Sequence, residues 1–179
     1  QTSATPSPKD PRRDALARLT PFGWTGGMAV ILALLAASFF LAGYFVIYWR
    51  NADMDFVVIY NALALNDGKP QTYYDHPAYI TIISLKLWFK LLHSLGLLES
   101  WKLSSFPPAS DIPAFETAMT ATVRAGRVMS GLLSAFFVAT FAGLMRLVVR
   151  DWRVALLATF AFAFSGGVAV HMRILRSEM

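Results

Sequence analysis

The chain has 179 residues, 56% of them hydrophobic, with a mean hydropathy of +0.49. A soluble domain averages about 45–50% apolar, so this excess argues against an ordinary soluble fold and for a membrane protein. The net charge is +5 and there is no cysteine. No basic patch stands beside a groove-reading motif, which excludes nucleic acid as a partner, and a chain without Cys has neither a disulfide framework nor a thiolate metal site.

Residues 1–26 read as a cytoplasmic tail, broken by Pro6, Pro8 and Pro11 and carrying Lys9, Arg12, Arg13 and Arg18. The apolar segment after it is too long for a cleaved signal, so it is expected to be a retained anchor. Residues 27–49 contain no charge. About 20 apolar residues cross a bilayer as a helix, which makes this the first transmembrane helix. Tyr44, Tyr48 and Trp49 crowd its far end, as interfacial aromatics do. The basic tail puts the N-terminus in the cytoplasm, and the expected location is a bacterial inner membrane.

Residues 50–122 read as one large external loop. Its opening part holds Asp53, Asp55, Asp67 and Asp75, the step His76-Pro77 and a cluster of tyrosines. Asp67-Gly68 is expected to be a turn. Within the loop, a juxtamembrane helix over about 77–98 is expected to lie in the interface. Lys86, Lys90 and His93 recur there at helical spacing and form one polar stripe. A membrane-crossing path for this segment is the alternative. It would leave Arg146, Arg150 and Arg153 outside, against the positive-inside tendency. Pro107, Pro108 and Pro113 are expected to rule out a long helix between Glu99 and Ala118.

Residues 123–149 form the second expected span, running inward. Arg124 and Arg127 sit at its outer end, near the small residues Gly126, Ser130, Gly131 and Ser134, which let helices approach closely. Residues 150–153 make a cytoplasmic turn, 154–172 a third span, and 173–179 begin a second external loop with Arg173, Arg176 and Glu178. The fold class is therefore all-α and integral to the membrane: three transmembrane helices plus a juxtamembrane interfacial helix in a large first external loop.

On this topology Asp53 and Asp55, His76, Arg124 with Arg127, and Arg173, Arg176 and Glu178 meet at the outer face. Charges near a bilayer are costly unless paired or functional. Carboxylates beside arginines suit a phosphorylated ligand, with Arg gripping phosphate and Asp acting as base or metal ligand. Each piece also has a plain explanation. An Asp-x-Asp triplet is frequent in solvated loops, His76-Pro77 can simply start a helix, and Arg124 and Arg127 can snorkel to headgroups. His93 and His171 stand at no ligand spacing with a second histidine, so no metal site is assigned.

The order of these elements resembles the N-terminal part of the glycosyltransferase C superfamily. That group holds the protein O-mannosyltransferases, lipid A aminoarabinose transferases and polyprenyl-phosphate-dependent mannosyltransferases. The resemblance is carried by Asp53-Met54-Asp55-Phe56, Tyr60-Asn61-Ala62, Asp67-Gly68, Tyr73-Tyr74-Asp75-His76-Pro77, Arg124-Ala125-Gly126, and the stretch from Arg173 to Glu178. Ala78 stands where a second proline is common in the family, and Asp-Met-Asp-Phe replaces Asp-Glu, which tilts the likeness toward the mannosyltransferase-like branch.

The resemblance implies transfer of a sugar from a polyprenyl-phosphate donor to an acceptor hydroxyl at the outer face. It implies Asp55, then Asp53, as the catalytic carboxylate, and Arg124 with Arg127 as the donor-phosphate site. Glu178 would be a second acidic group, with His76, Arg173 and Arg176 in support. It leaves room for a divalent metal ion without demanding one. Expected partners are membrane lipids, the polyprenyl-phosphate sugar and other membrane protein subunits. Three spans cannot enclose both donor and acceptor, so the chain is expected to be part of a longer enzyme. The alternative is a non-catalytic glycosyltransferase-like accessory subunit packed against a larger membrane complex. A transporter or channel fits less well, because no broken pair of helices or polar stripe runs through a span.

Overall fold

The computed structural model describes residues 23–72 and 79–172; the side chains of residues 51–54 lie outside the description. The described residues are helical and contain no strand. Helix α1 runs over Gly23–Phe39 and passes into a π-helical turn, Phe40–Tyr44; a 3-10 turn, Tyr48–Asn51, leads into α2, Ala52–Asn66. Then come α3, Tyr79–Ser94, a 3-10 turn at Leu103–Ser105, and α4, Ile112–Val148. Helices α5, Trp152–Ala163, and α6, Gly166–His171, complete the described chain.

Two helical segments are long and apolar enough to cross a membrane: Gly23–Tyr44 and Ile112–Val148. In α1 the inward stripe is Ile31, Leu35 and Phe39, spaced four apart, while Val30, Leu34 and Leu41 are exposed. Helix α1 packs against α4 and α5 through small residues. Gly131 of α4 lies under the Phe39 ring, where an added Cβ would stand 3.2 Å from Cε2, and a Cβ on Gly27 would collide with Leu156 Cδ1. The bundle core is Ile31, Leu35, Phe39, Val138, Ala163 and Met172.

Helix α4 starts earlier than the prolines suggest. It begins at Ile112, with Asp111 Oδ1 accepting from Ala114 N at 3.3 Å. Pro113 falls in the first turn, where no intrahelical N–H is needed, so it opens the helix instead of breaking it. The 37 residues of α4 rise about 55 Å. A hydrocarbon core is about 30 Å thick, so α4 is several turns longer than a crossing requires. The segment expected as a third continuous span is broken. Phe164 and Ser165 separate α5 from α6, and Ser165 Oγ accepts from Val168 N to cap α6. The 12 residues of α5 rise only about 18 Å.

The opening part of the acidic stretch, expected to lie in a loop, is helical over Ala52–Asn66. Val58, Ile59, Ala62 and Leu63 of α2 are buried with Ile82, Leu85 and Phe89 of α3 and Val123 and Met129 of α4, forming a second core at one end of the molecule. Both α2 and α3 end on a glycine with positive φ, Gly68 at 73° and Gly96 at 72°. Lys69 N reaches back to Ala64 O and Leu97 N to Leu92 O, each at 2.9 Å, the closing bonds of a left-handed helix end. The Asp67-Gly68 turn is thus a helix terminus. Polar ties fix this end. Asn66 Nδ2 donates to Lys86 O and Trp101 O at 3.1 and 3.0 Å, and Trp88 Nε1 donates to Ala125 O at 2.8 Å. His93 leaves the expected polar stripe to stack on Trp101, with ring centroids 4.9 Å apart.

Candidate functional site

Arg127 lies where α1 ends, α2 begins and α4 passes. Its Nε and Nη2 donate to Asp55 Oδ2 at 3.2 and 2.9 Å, and its Nη1 donates to the carbonyls of Gly43 and Val46 at 3.1 and 2.6 Å. Carbonyls at a helix end lack their full set of intrahelical partners; Val46 N reaches Gly43 O at 3.2 Å, and the guanidinium adds a donor to both carbonyls. Asp55 sits in the first turn of α2, where the helix dipole favours a carboxylate. Both side chains are 0% exposed. All three guanidinium nitrogens are engaged, as burial of a charge requires. The structure therefore joins the expected catalytic Asp55 and the expected phosphate ligand Arg127 to each other, with neither side chain open to solvent.

Arg124, one turn earlier on α4, is arranged differently. Its guanidinium carbon lies 5.3 Å from the centroid of the Tyr44 ring, at cation–π distance. Its Nε is buried and has no hydrogen-bond partner among the described residues. It lines an open groove of 610 Å³ with Tyr48, Trp49, Glu116, Thr117 and Thr120. Glu116, Thr120 and Arg124 are four residues apart on α4 and so share one helix face. Arg124 is thus a half-buried cation at the edge of an open groove, and a guanidinium so placed suits a charge-assisted hydrogen bond to an anion.

Other hollows surround this end. A 660 Å³ groove with Glu99, Ser100, Pro107 and Thr117 lies on the other flank of the first turns of α4. An apolar hollow of 350 Å³ lies among Phe56, Ile59, Tyr60, Leu63, Phe106 and Phe115. At the far side of the bundle, Ser134, Phe137, Phe162, Ser165 and His171 line a 290 Å³ cleft beside the break between α5 and α6. The His171 Nδ1 is buried without a hydrogen-bond partner among the described residues. Outside the apolar segments, the Asp67 carboxyl is held below the usual carboxylate range. The cause is first a 2.6 Å hydrogen bond from Ser104 Oγ and then Lys69 Nζ at 3.1 Å.

Of the remaining expected site residues, the Asp53 side chain, His76, Arg173, Arg176 and Glu178 lie outside the described residues. Among the described residues no group of three His, Asp or Glu side chains could hold a metal ion. Sequence reasoning missed Tyr44, Trp49 and Glu116. The spacing Glu116–Thr120–Arg124 could have revealed the groove face, had Pro113 been read as a helix start.

No family model, curated protein or solved structure matches this chain.

Proposed function

We propose that this chain is a membrane glycosyltransferase, or part of one, moving a sugar from a polyprenyl-phosphate donor to an acceptor hydroxyl at the outer face. The chain crosses the membrane at α1 and α4, and α5 with α6 makes a broken third pass. Helix α3 lies in the outer interface. The exposed Leu132, Phe136, Leu144 and Leu147 of α4 face lipid or further membrane segments. The N-terminus is cytoplasmic.

The observation that carries this reading is Arg124. It is a cation steadied by the Tyr44 ring and lining an open groove near the start of α4. A departing lipid phosphate gains charge in the transition state, and a fixed cation there lowers the barrier. Arg127 supports the groove from beneath by holding Asp55 and the end of α1. The phosphate role thus falls to Arg124 first, and Arg127 becomes its positioning neighbour.

The test is sugar transfer by the full-length protein in proteoliposomes, using farnesyl-phosphate-linked hexoses and pentoses with an octyl glycoside acceptor. Arg124→Gln is expected to raise the donor KM about ten- to hundredfold, the worth of one or two charge-assisted hydrogen bonds. No transfer by the wild type from any of these donors, or a normal KM in Arg124→Gln, overturns the reading.

The closed Asp55–Arg127 pair favours a second reading, a non-catalytic accessory subunit. A buried pair serves structure as readily as chemistry. Stoichiometric co-purification with other membrane proteins and no transfer activity would decide for it.

A further inference from the structure

A general base has to come within hydrogen-bonding reach of the proton it removes. Asp55 is fully buried against Arg127, so it does not offer that reach. The carboxylate that shares a groove with Arg124 is Glu116, on an exposed turn of α4 and free of any hydrogen bond or ion pair among the described residues. We propose that Glu116 is the catalytic base of this site and that Trp49 is the surface against which the transferred sugar lies. This inference rests on the glycosyltransferase reading and assigns the base within it.

The geometry of displacement supports the assignment. Attack on an anomeric carbon needs the nucleophile and the leaving phosphate on opposite sides of that carbon. A base and a phosphate-binding cation therefore belong at two ends of one groove. Glu116 and Arg124 are eight residues apart on the same face of α4, an axial separation of about 12 Å. Thr120 stands between them, where its hydroxyl can bond to a sugar hydroxyl. Trp49 forms part of the same groove and is 57% exposed. A broad aromatic face of this kind packs against the C–H face of a pyranose.

In the step itself, the acceptor O–H gives its proton to the Glu116 carboxylate. The acceptor oxygen bonds to the anomeric carbon. The bond from that carbon to the phosphate oxygen breaks, and its electron pair leaves on the polyprenyl phosphate beside Arg124. No oxidant, reductant or third reactant is needed. Glu99 lies in the neighbouring groove on the other flank of α4 and serves as a matched control.

The experiment compares Glu116→Gln, Glu116→Asp, Glu99→Gln and Trp49→Ala in the full-length protein, with the same farnesyl-phosphate-linked donors and octyl glycoside acceptor. Glu116→Gln is expected to lower kcat about 10²- to 10⁴-fold, the usual worth of general acid–base catalysis. Its donor KM and thermal midpoint should match the wild type. Glu116→Asp should recover part of the rate, Glu99→Gln should behave as wild type, and Trp49→Ala should raise the donor KM. Wild-type kcat in Glu116→Gln, with Arg124→Gln still impaired, overturns the role of Glu116 and leaves the glycosyltransferase reading standing. Loss of rate in Asp53→Asn with retention in Glu116→Gln gives the role to Asp53. No transfer by the wild type from any donor overturns both readings.

Discussion

Arg127 and Asp55 form a two-pronged ion pair, with Nε and Nη2 both on Oδ2, at a point where neither side chain has exposed surface. The same guanidinium closes the end of α1 through Gly43 and Val46. One arginine thus joins the end of the first apolar helix, the first turn of α2 and the middle of α4.

Removing one member of this pair should cost more than removing both. Asp55→Leu or Arg127→Met alone leaves an uncompensated buried charge, at about 3–5 kcal/mol. The double replacement Asp55→Leu with Arg127→Met removes both charges and should recover part of that loss. Thermal unfolding of the purified protein in detergent measures this. Equal additive losses would mean that the two side chains do not interact. Arg124→Gln, by contrast, breaks no hydrogen bond among the described residues and should change stability by about 1 kcal/mol or less, the worth of one cation–π contact.

Gly27 should accept alanine by a rotamer change at Leu156, whose terminal methyl it would meet, but not a large side chain. A Cβ there meets the Leu156 side chain, so Gly27→Leu overpacks the contact between α1 and α5. Overpacking typically costs about 1–3 kcal/mol. Leu156→Ala in the same chain should restore much of the loss, read as the shift in unfolding midpoint. No rescue by the second change would place the damage elsewhere.

Acid should loosen the end of α2. The Asp67 carboxyl is lowered by Ser104 and Lys69, so its folded value lies below its unfolded one. Such a group contributes stability that is complete above the unfolded value of about 3.9. That contribution is lost as pH falls from there through the folded value. Ser104→Ala raises the folded value toward the unfolded one. The variant should lose less stability than wild type between neutral pH and pH values below about 4. Identical pH profiles for the two proteins would exclude Ser104 as the cause.

The chain has no cysteine, so single cysteines report topology without background. Leu97→Cys at the exposed end of α3 and Asp151→Cys at the turn between α4 and α5 should label from opposite sides of the membrane. An impermeant maleimide on sealed vesicles, with and without detergent, measures this. Labelling of both from one side would mean that α4 does not cross.

Several features were legible in the sequence because they depend on local composition. The uncharged run after residue 26 is apolar throughout, so it forms a helix wherever it is placed. The second apolar helix and the amphipathic α3 follow from the same kind of pattern. Gly68 and Gly96 mark helix ends because only glycine adopts positive φ without cost. Other features depended on tertiary contacts. The run from Phe56 to Tyr60 has the β-branched character of an extended segment, yet α2 is helical because α3 and α4 bury one side of it. Pro113 starts a helix because Asp111 caps it. The sequence by itself marked Asp55, Arg124 and Arg127 as candidate site residues. Only the folded chain separated their surroundings. Arg127 and Asp55, 72 positions apart, meet in a closed buried pair, whereas Arg124, three residues from Arg127, turns to the groove it shares with Glu116. The physical reason is what each guanidinium meets: Arg127 reaches the Asp55 carboxylate and the Gly43 and Val46 carbonyls, which satisfy a buried charge, whereas Arg124 meets the Tyr44 ring at the groove edge.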